Sequence, residues 1–275
     1  MTHLPEVEVI RKELEKEVQG KRFKELNVKS ATTVGRHRNR PEFYKLLDGR
    51  KIESLTRRGT LLLFELDEEQ TLVVSLGSRG TLSRETATEE AGPDTQFTGT
   101  FTTGGALHLV DTAKDAEVFV VSTAELEALP ELSGGGIDAL ADTFTWHAFG
   151  QELVLRDQPL ALLLRDESFI LGLGDLYADE ILWSAGLSPA RRSNSLTSQE
   201  VRRLYRAIFE VLYEAVKQGG VEVPDDDARD DDEQEYGDFV KIYERAGEQC
   251  IRCRRPIEQV EVDGIAIFAC PACQT

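Results

Sequence analysis

The chain has 275 residues, 40% of them hydrophobic, which is enough for one or two sizeable cores, and it carries a formal net charge of −18. No apolar run approaches the roughly 20 residues that a membrane-spanning helix needs, so no membrane partner is expected and a soluble, cytoplasmic protein is. The charge argues against the broadly basic surface that nucleic-acid binders ordinarily present.

In chain order, the first residues (Met1-Thr2-His3-Leu4-Pro5-Glu6) turn to charge at once, and no secretory signal is expected there. Residues 5–18 read as an amphipathic helix, because Val7, Ile10, Leu14 and Val18 recur at helical spacing and Pro5 suits a first turn. From about 22 to 123 the pattern changes to short alternating or β-branched runs, including 60–66, 71–74, 97–102 and 117–120, separated by Gly and Asp. That pattern predicts a β-sandwich or barrel-like domain. Residues 130–136, ending in three glycines, read as a linker.

Beyond the linker the chain turns helical. A helix is expected from about Asp175 through Ala185, stopped by Gly186, with Asp175 as its N-cap. Residues 197–218 predict a second, opened by the capping box Thr197-x-x-Glu200 and closed by Gly219-Gly220, with Val201, Leu204, Ile208, Leu212 and Ala215 on one face. Asp179 and Glu180 read as first-turn acids favoured by the helix dipole, and Trp146 and Trp183 as packing residues. His37, His108 and His147 show no ligand spacing.

Residues 222–238 hold ten acidic side chains against the single Arg229, about half of the net charge, and read as a solvated loop. All four cysteines of the chain follow, as Cys250-x2-Cys253 and Cys270-x2-Cys273 with sixteen residues between the pairs. That is the spacing of a zinc ribbon, in which two thiolate turns share one tetrahedral Zn2+. Disulfides are the competing use of such cysteines, and the charged N-terminus argues against them.

The opening Leu4-Pro5-Glu6-Val7-Glu8, the β-rich first half, the run Gly172-Leu173-Gly174-Asp175-Leu176-Tyr177-Ala178-Asp179-Glu180 and a ribbon ending Cys270-Pro271-Ala272-Cys273-Gln274 together resemble the formamidopyrimidine-DNA glycosylase and endonuclease VIII family. The resemblance runs nearly end to end. It implies an α+β multidomain fold: an N-terminal β-sandwich domain with its helix (1–128), a linker (129–144), a helix-two-turn-helix domain (145–221), the acidic loop (222–238) and a zinc-finger domain (239–275). It also implies damaged or abasic DNA as partner, held between the two halves, with removal of oxidised bases followed by β-elimination.

The family's nucleophile is an N-terminal proline amine followed by a glutamate, positions that are Thr2 and His3 here, and Glu6 matches a further family carboxylate. The catalytic candidates are therefore Thr2, His3 and Glu6. A free Thr2 α-amine, with a pKa near 7.7 to 8.0, retains the capacity to form an imine. His3 offers an imidazole that moves protons near neutral pH.

The candidate DNA contacts are Arg79, Gly172, Gly174 and Asp175. Other family contacts are replaced: a hairpin lysine by Thr60, the three side chains that fill the gap after base extrusion by Ser78, Ala113 and Asp115, a phosphate-binding asparagine by Asp175, and a ribbon arginine by Ile265. Losing two or three such charge-assisted contacts, at about 1.5 to 3 kcal/mol each, weakens DNA binding by several kcal/mol.

The resemblance and its departures lead to three expectations. The first is a repair-associated family scaffold whose standard glycosylase and lyase chemistry is lost or altered. The second is a lyase that works from the Thr2 amine. The third is a protein-binding or DNA-mimicking regulatory module built on the acidic loop.

Overall fold

In a computed structural model of the chain, residues 2–86, 91–221 and 238–275 are described. They form two compact units, residues 1–134 and 135–275.

In the first unit, α1 (Leu4–Val18) begins with Pro5 in its first turn and buries Leu4, Val7, Leu14 and Val18, close to the predicted span. Eight strands follow: β1 (Phe23–Val28), β2 (Ile52–Arg58), β3 (Leu61–Leu66), β4 (Gln70–Ser75), β5 (Gly80–Glu85), β6 (Thr95–Phe101), β7 (Ala106–Asp111) and β8 (Glu117–Ser122), with α2 (Arg40–Leu47) between β1 and β2. They pair as two antiparallel sheets, β1-β6-β7-β5 and β2-β3-β4-β8, which is the expected sandwich.

One core joins the sheets. Phe97, Leu107 and Leu109 from one face Leu62, Phe64, Leu72 and Val74 from the other, and Val7 and Leu14 of α1 complete it. Strand β3 is apolar on both faces, because Leu61 and Leu63 turn outward to join Val73 and Phe119. Leu126, Leu129 and Leu132 cover that outer face. The expected linker therefore begins differently: Pro130–Ser133 forms a short helix, α3, whose Leu132 is held by packing.

The second unit contains α4 (Trp146–Val154), α5 (Leu160–Leu163), α6 (Gly174–Ala185), α7 (Ser198–Lys217) and a hairpin of β9 (Glu258–Val262) and β10 (Ile265–Ala269). Helix α7 opens on the predicted box, Thr197 accepting from the Glu200 amide while Glu200 accepts in return. Helix α6 ends at Gly186 in the left-handed conformation, φ 65°. Asp263 and Gly264, at φ 49° and 85°, make the two-residue turn of the hairpin. No helix among the described residues is long and apolar enough to cross a membrane.

Candidate active site and metal centre

Thr2 is buried, only 7% exposed. Leu4 and Pro5 sink the start of α1 into the core, which draws the preceding residues onto the sandwich. The Thr2 nitrogen donates to the Gly77 carbonyl at 2.9 Å and its hydroxyl to the Gly80 carbonyl at 3.4 Å. His3 stands at the N-cap of α1 in extended conformation, and its Nδ1 lies 3.9 Å from Glu6 Oε2. Thr2, His3 and Glu6 are thus neighbours, with Glu6 largely covered at 11% side-chain exposure.

Gly77 belongs to the β4–β5 loop, and that loop is fastened to the β7–β8 loop. The Ser78 amide donates to both oxygens of Asp115, at 2.9 and 3.1 Å. Burial pushes the Asp115 carboxyl up, but the Ser78 amide and hydroxyl outweigh it and hold the group below the usual carboxylate range. Asp111, fully buried, accepts from the Ala113 and Ala116 amides and shapes the second loop. Two of the three positions expected to fill a DNA gap, Ser78 and Asp115, are therefore bonded to each other. The third, Ala113, is exposed, and Arg79 is half-buried on the first loop.

The arginines beside Thr60 are engaged elsewhere. Arg57, 4% exposed, donates from Nε to Glu8 Oε2 at 3.0 Å and also to the Gly59 carbonyl; Arg58 pairs with Glu127. Burial pushes the Glu8 carboxyl up, but hydrogen bonds from Arg11 and Arg57 outweigh it and hold the group below its ordinary range.

In the second unit, Gly172 and Gly174 take φ 64° and 59°, the left-handed backbone that favours glycine, and the Gly172 amide donates to Glu167. Helix α6 begins at Gly174 with Leu173 at the N-cap, so Asp175 is not the cap as expected but lies inside the first turn. Its carboxylate accepts from Arg165 Nε at 2.5 Å. The negative charge set where a phosphate contact was expected is thus met by a cation the sequence did not single out.

Asp179 and Glu180 also depart from expectation. They lie beyond the first turn and are buried, at 0% and 1% exposed. Asp179 accepts from Arg165 at 2.6 Å through one oxygen and from the Phe268 amide of β10 at 2.8 Å through the other. Glu180 Oε1 collects the consecutive amides of Lys241, Ile242 and Tyr243 at 2.8, 2.7 and 3.0 Å. Burial raises both groups, Asp179 to about 6, against the lowering effect of these donors. These two residues anchor the ribbon to α6. The available signal was a pair of charges midway along an otherwise apolar helix.

At the far end of α6, Arg252 lies 3.8 Å above the Trp183 ring and donates to the Trp183 and Ser184 carbonyls, satisfying the helix terminus. Next to it the four cysteine sulfurs lie within 4.8 Å of one another, with Cys250–Cys273 at 3.9 Å and Cys253–Cys270 at 3.4 Å. Four thiolates about 2.3 Å from one tetrahedral ion stand about 3.8 Å apart, so the donor set fits a single soft metal ion with every position filled by protein. Gln274 fixes the last knuckle, accepting from the Cys270 amide and donating to the Leu187 carbonyl. Ile265 follows the hairpin turn as expected.

A two-sheet sandwich with Thr2 buried against it, a glycine turn before α6 and a four-thiolate ribbon make up the architecture of a helix-two-turn-helix protein, and the family comparisons name the same class. The family model for the formamidopyrimidine-DNA glycosylase N-terminal domain matches residues 1–118, and that for the glycosylase's helix-two-turn-helix domain matches 136–226. The formamidopyrimidine-DNA glycosylase of Pelotomaculum thermopropionicum is 32% identical over 274 residues, covering 100% of this chain and 99% of that one. The one from Thermus thermophilus is 35% identical over 276 residues, covering 100% and 98%. Among solved structures, the Lactococcus lactis enzyme non-covalently bound to abasic-site DNA superposes with a TM-score of 0.85 at 27% identity, covering 99% of each chain. Its complex with N7-benzyl-Fapy-dG-containing DNA does so at 0.85 and 26%, again over 99% of each chain. The chain belongs to the formamidopyrimidine-DNA glycosylase family.

Proposed function

We propose that this protein acts on DNA with altered family chemistry, as a lyase for abasic sites whose nucleophile is the α-amine of Thr2 freed by removal of Met1. The observation that carries the reading is the seat of the Thr2 nitrogen, 2.9 Å from the Gly77 carbonyl, next to the His3–Glu6 pair. The amine attacks C1′ of the ring-opened sugar, a C1′–N bond forms, and the hydroxyl departs as water to leave an imine. Removal of a C2′ proton then breaks the C3′–O bond. In this reading His3 and Glu6, paired beside Thr2, carry these protons.

An abasic site suits this protein because there is no base to extrude, and the positions that would fill the emptied stack are Ser78, Ala113 and Asp115. DNA is held through Arg79 and the backbone of the Gly172–Gly174 turn. Zn2+ is the structural ion of Cys250, Cys253, Cys270 and Cys273, and elemental analysis of the purified protein should find one zinc per chain.

A second reading, a DNA-associated scaffold without chemistry, is favoured by the commitment of Arg57, Arg58 and Arg165 to carboxylates. The regulatory module built on the acidic loop rests on residues 222–237, which lie outside the described residues.

Borohydride trapping of Met-processed, mass-verified protein on duplex and single-stranded abasic DNA, at low and high salt, separates these readings. An adduct mapped to Thr2 is the expected result. Binding without an adduct establishes the scaffold, and loss of both turns the search to a protein partner.

A further inference from the structure

Asp115 is an exposed acid in a surface loop, yet both of its oxygens are used within the protein. They receive the single Ser78 amide, and this bond joins the β7–β8 loop to the β4–β5 loop. The loops meet closely at that point. Gly77 has φ +67°, and a Cβ there would stand 2.1 Å from Asp115 Oδ1 and 2.8 Å from the Ala116 amide nitrogen. Only a residue without a side chain admits the carboxylate to this position.

The other side of the same peptide faces Thr2. The Gly77 carbonyl that accepts from Thr2 is covalently joined to the Ser78 nitrogen that donates to Asp115, so one peptide plane connects the two bonds. Fixing the plane at its N–H end fixes the direction of its carbonyl. The Thr2 hydroxyl, bonded to Gly80 at the other end of the loop, adds a second point of registration. The β7–β8 loop is itself rigid, since Asp111 takes two of its amides and has no solvent exposure.

We propose that Asp115 is a positioning residue for Thr2: through the Ser78–Gly77 peptide it sets where the Thr2 nitrogen points and keeps it buried. The inference rests on the reading of the Thr2 amine as nucleophile, and it assigns to Asp115 a role within the protein rather than in the DNA duplex. The carboxylate acts by geometry, as an acceptor. An asparagine at this position therefore keeps the seat, whereas an alanine releases it.

The test uses full-length protein processed to Thr2, as wild type, Asp115→Ala and Asp115→Asn. Asp115 is exposed, so the alanine variant should fold; Asp115→Ser, with its shorter acceptor, replaces it if thermal melting shows otherwise. Single-turnover borohydride trapping at saturating abasic DNA should slow by about 10- to 100-fold in Asp115→Ala, with the DNA dissociation constant within about 2-fold of wild type, and should recover in Asp115→Asn. A DNA-free readout runs in parallel: the rate at which an acylating reagent labels the Thr2 α-amine, followed by mass spectrometry. Labelling should be several-fold faster in Asp115→Ala than in wild type or Asp115→Asn.

Wild-type trapping and labelling rates in the alanine variant would overturn the role of Asp115 and leave the lyase reading standing. A wild type that is never trapped, but whose amine is unmasked by the alanine substitution, would overturn the lyase reading and leave the seat established. No trapping and no change in labelling would overturn both.

Discussion

Gly77 is the residue on which the N-terminal site turns, and a pair of glycine substitutions separates its backbone requirement from its contact requirement. Gly20 also has positive φ, +79°, but nothing lies within 4 Å of a Cβ there. Gly20→Ala should cost about 1 kcal/mol, the left-handed backbone alone. Gly77→Ala adds a collision with Asp115 and the Ala116 backbone, and should cost about 2 to 4 kcal/mol. Urea midpoints of the two variants check this, and equal losses would mean that the loops move apart freely. Sequence reading reached both loops because a family resemblance named their positions. It could not reach the Asp115–Ser78 bond, since the partners are 37 residues apart and neither side chain carries a spacing signal.

At the scale of the element, α6 carries the ribbon on two carboxylates. Glu180→Ala leaves three consecutive amides without their acceptor, and should destabilise the second unit by about 3 to 5 kcal/mol. Amide exchange at Lys241, Ile242 and Tyr243 should accelerate with it.

Asp179 gives a pH dependence. Its folded pKa, about 6, exceeds the ordinary aspartate value of 3.8, so its contribution to stability is fully present below the unfolded pKa and is lost as pH rises through about 6. Subtracting the stability of Asp179→Asn from that of wild type should give a curve that falls between about pH 4 and 6. A flat difference would mean that Arg165 and the Phe268 amide compensate the burial. The positions of α6 and α7 were legible from a terminal glycine and a capping box. The partners of Asp179 and Glu180 were not, because local charge next to a turn resembles dipole stabilisation until distant backbone is brought against it.

For the whole molecule, two units with separate cores predict separable unfolding. Removing the metal with a strong chelator should destabilise the second unit and leave the β-sandwich transition in place, because the four thiolates belong to one unit only. Trp183, 6% exposed within the ribbon's small core, should report this as a red shift in emission. A single transition that moves as one would show that the units are energetically coupled. The sandwich, the helical half and the ribbon were all readable from alternation, helical periodicity and cysteine spacing, since each is a local pattern. The destination of the charge was less so. A count of −18 does not reveal that Arg57, Arg58 and Arg165 are held by acids within their own units.

The cover over the outer face of β3 also bears on how this chain can lengthen during descent. Pro130–Ser133 is committed to that cover, and Gly136 has no room, since a Cβ there would stand 2.2 Å from the Glu167 carbonyl. Between them Gly135 meets nothing within 4 Å and Gly134 touches only the Pro130 carbonyl at 3.4 Å. A stretch that reads as seven residues of tether leaves two at which an insertion disturbs neither neighbour, so inherited changes in length between the halves should accumulate at Gly134 and Gly135 and be purged on either side.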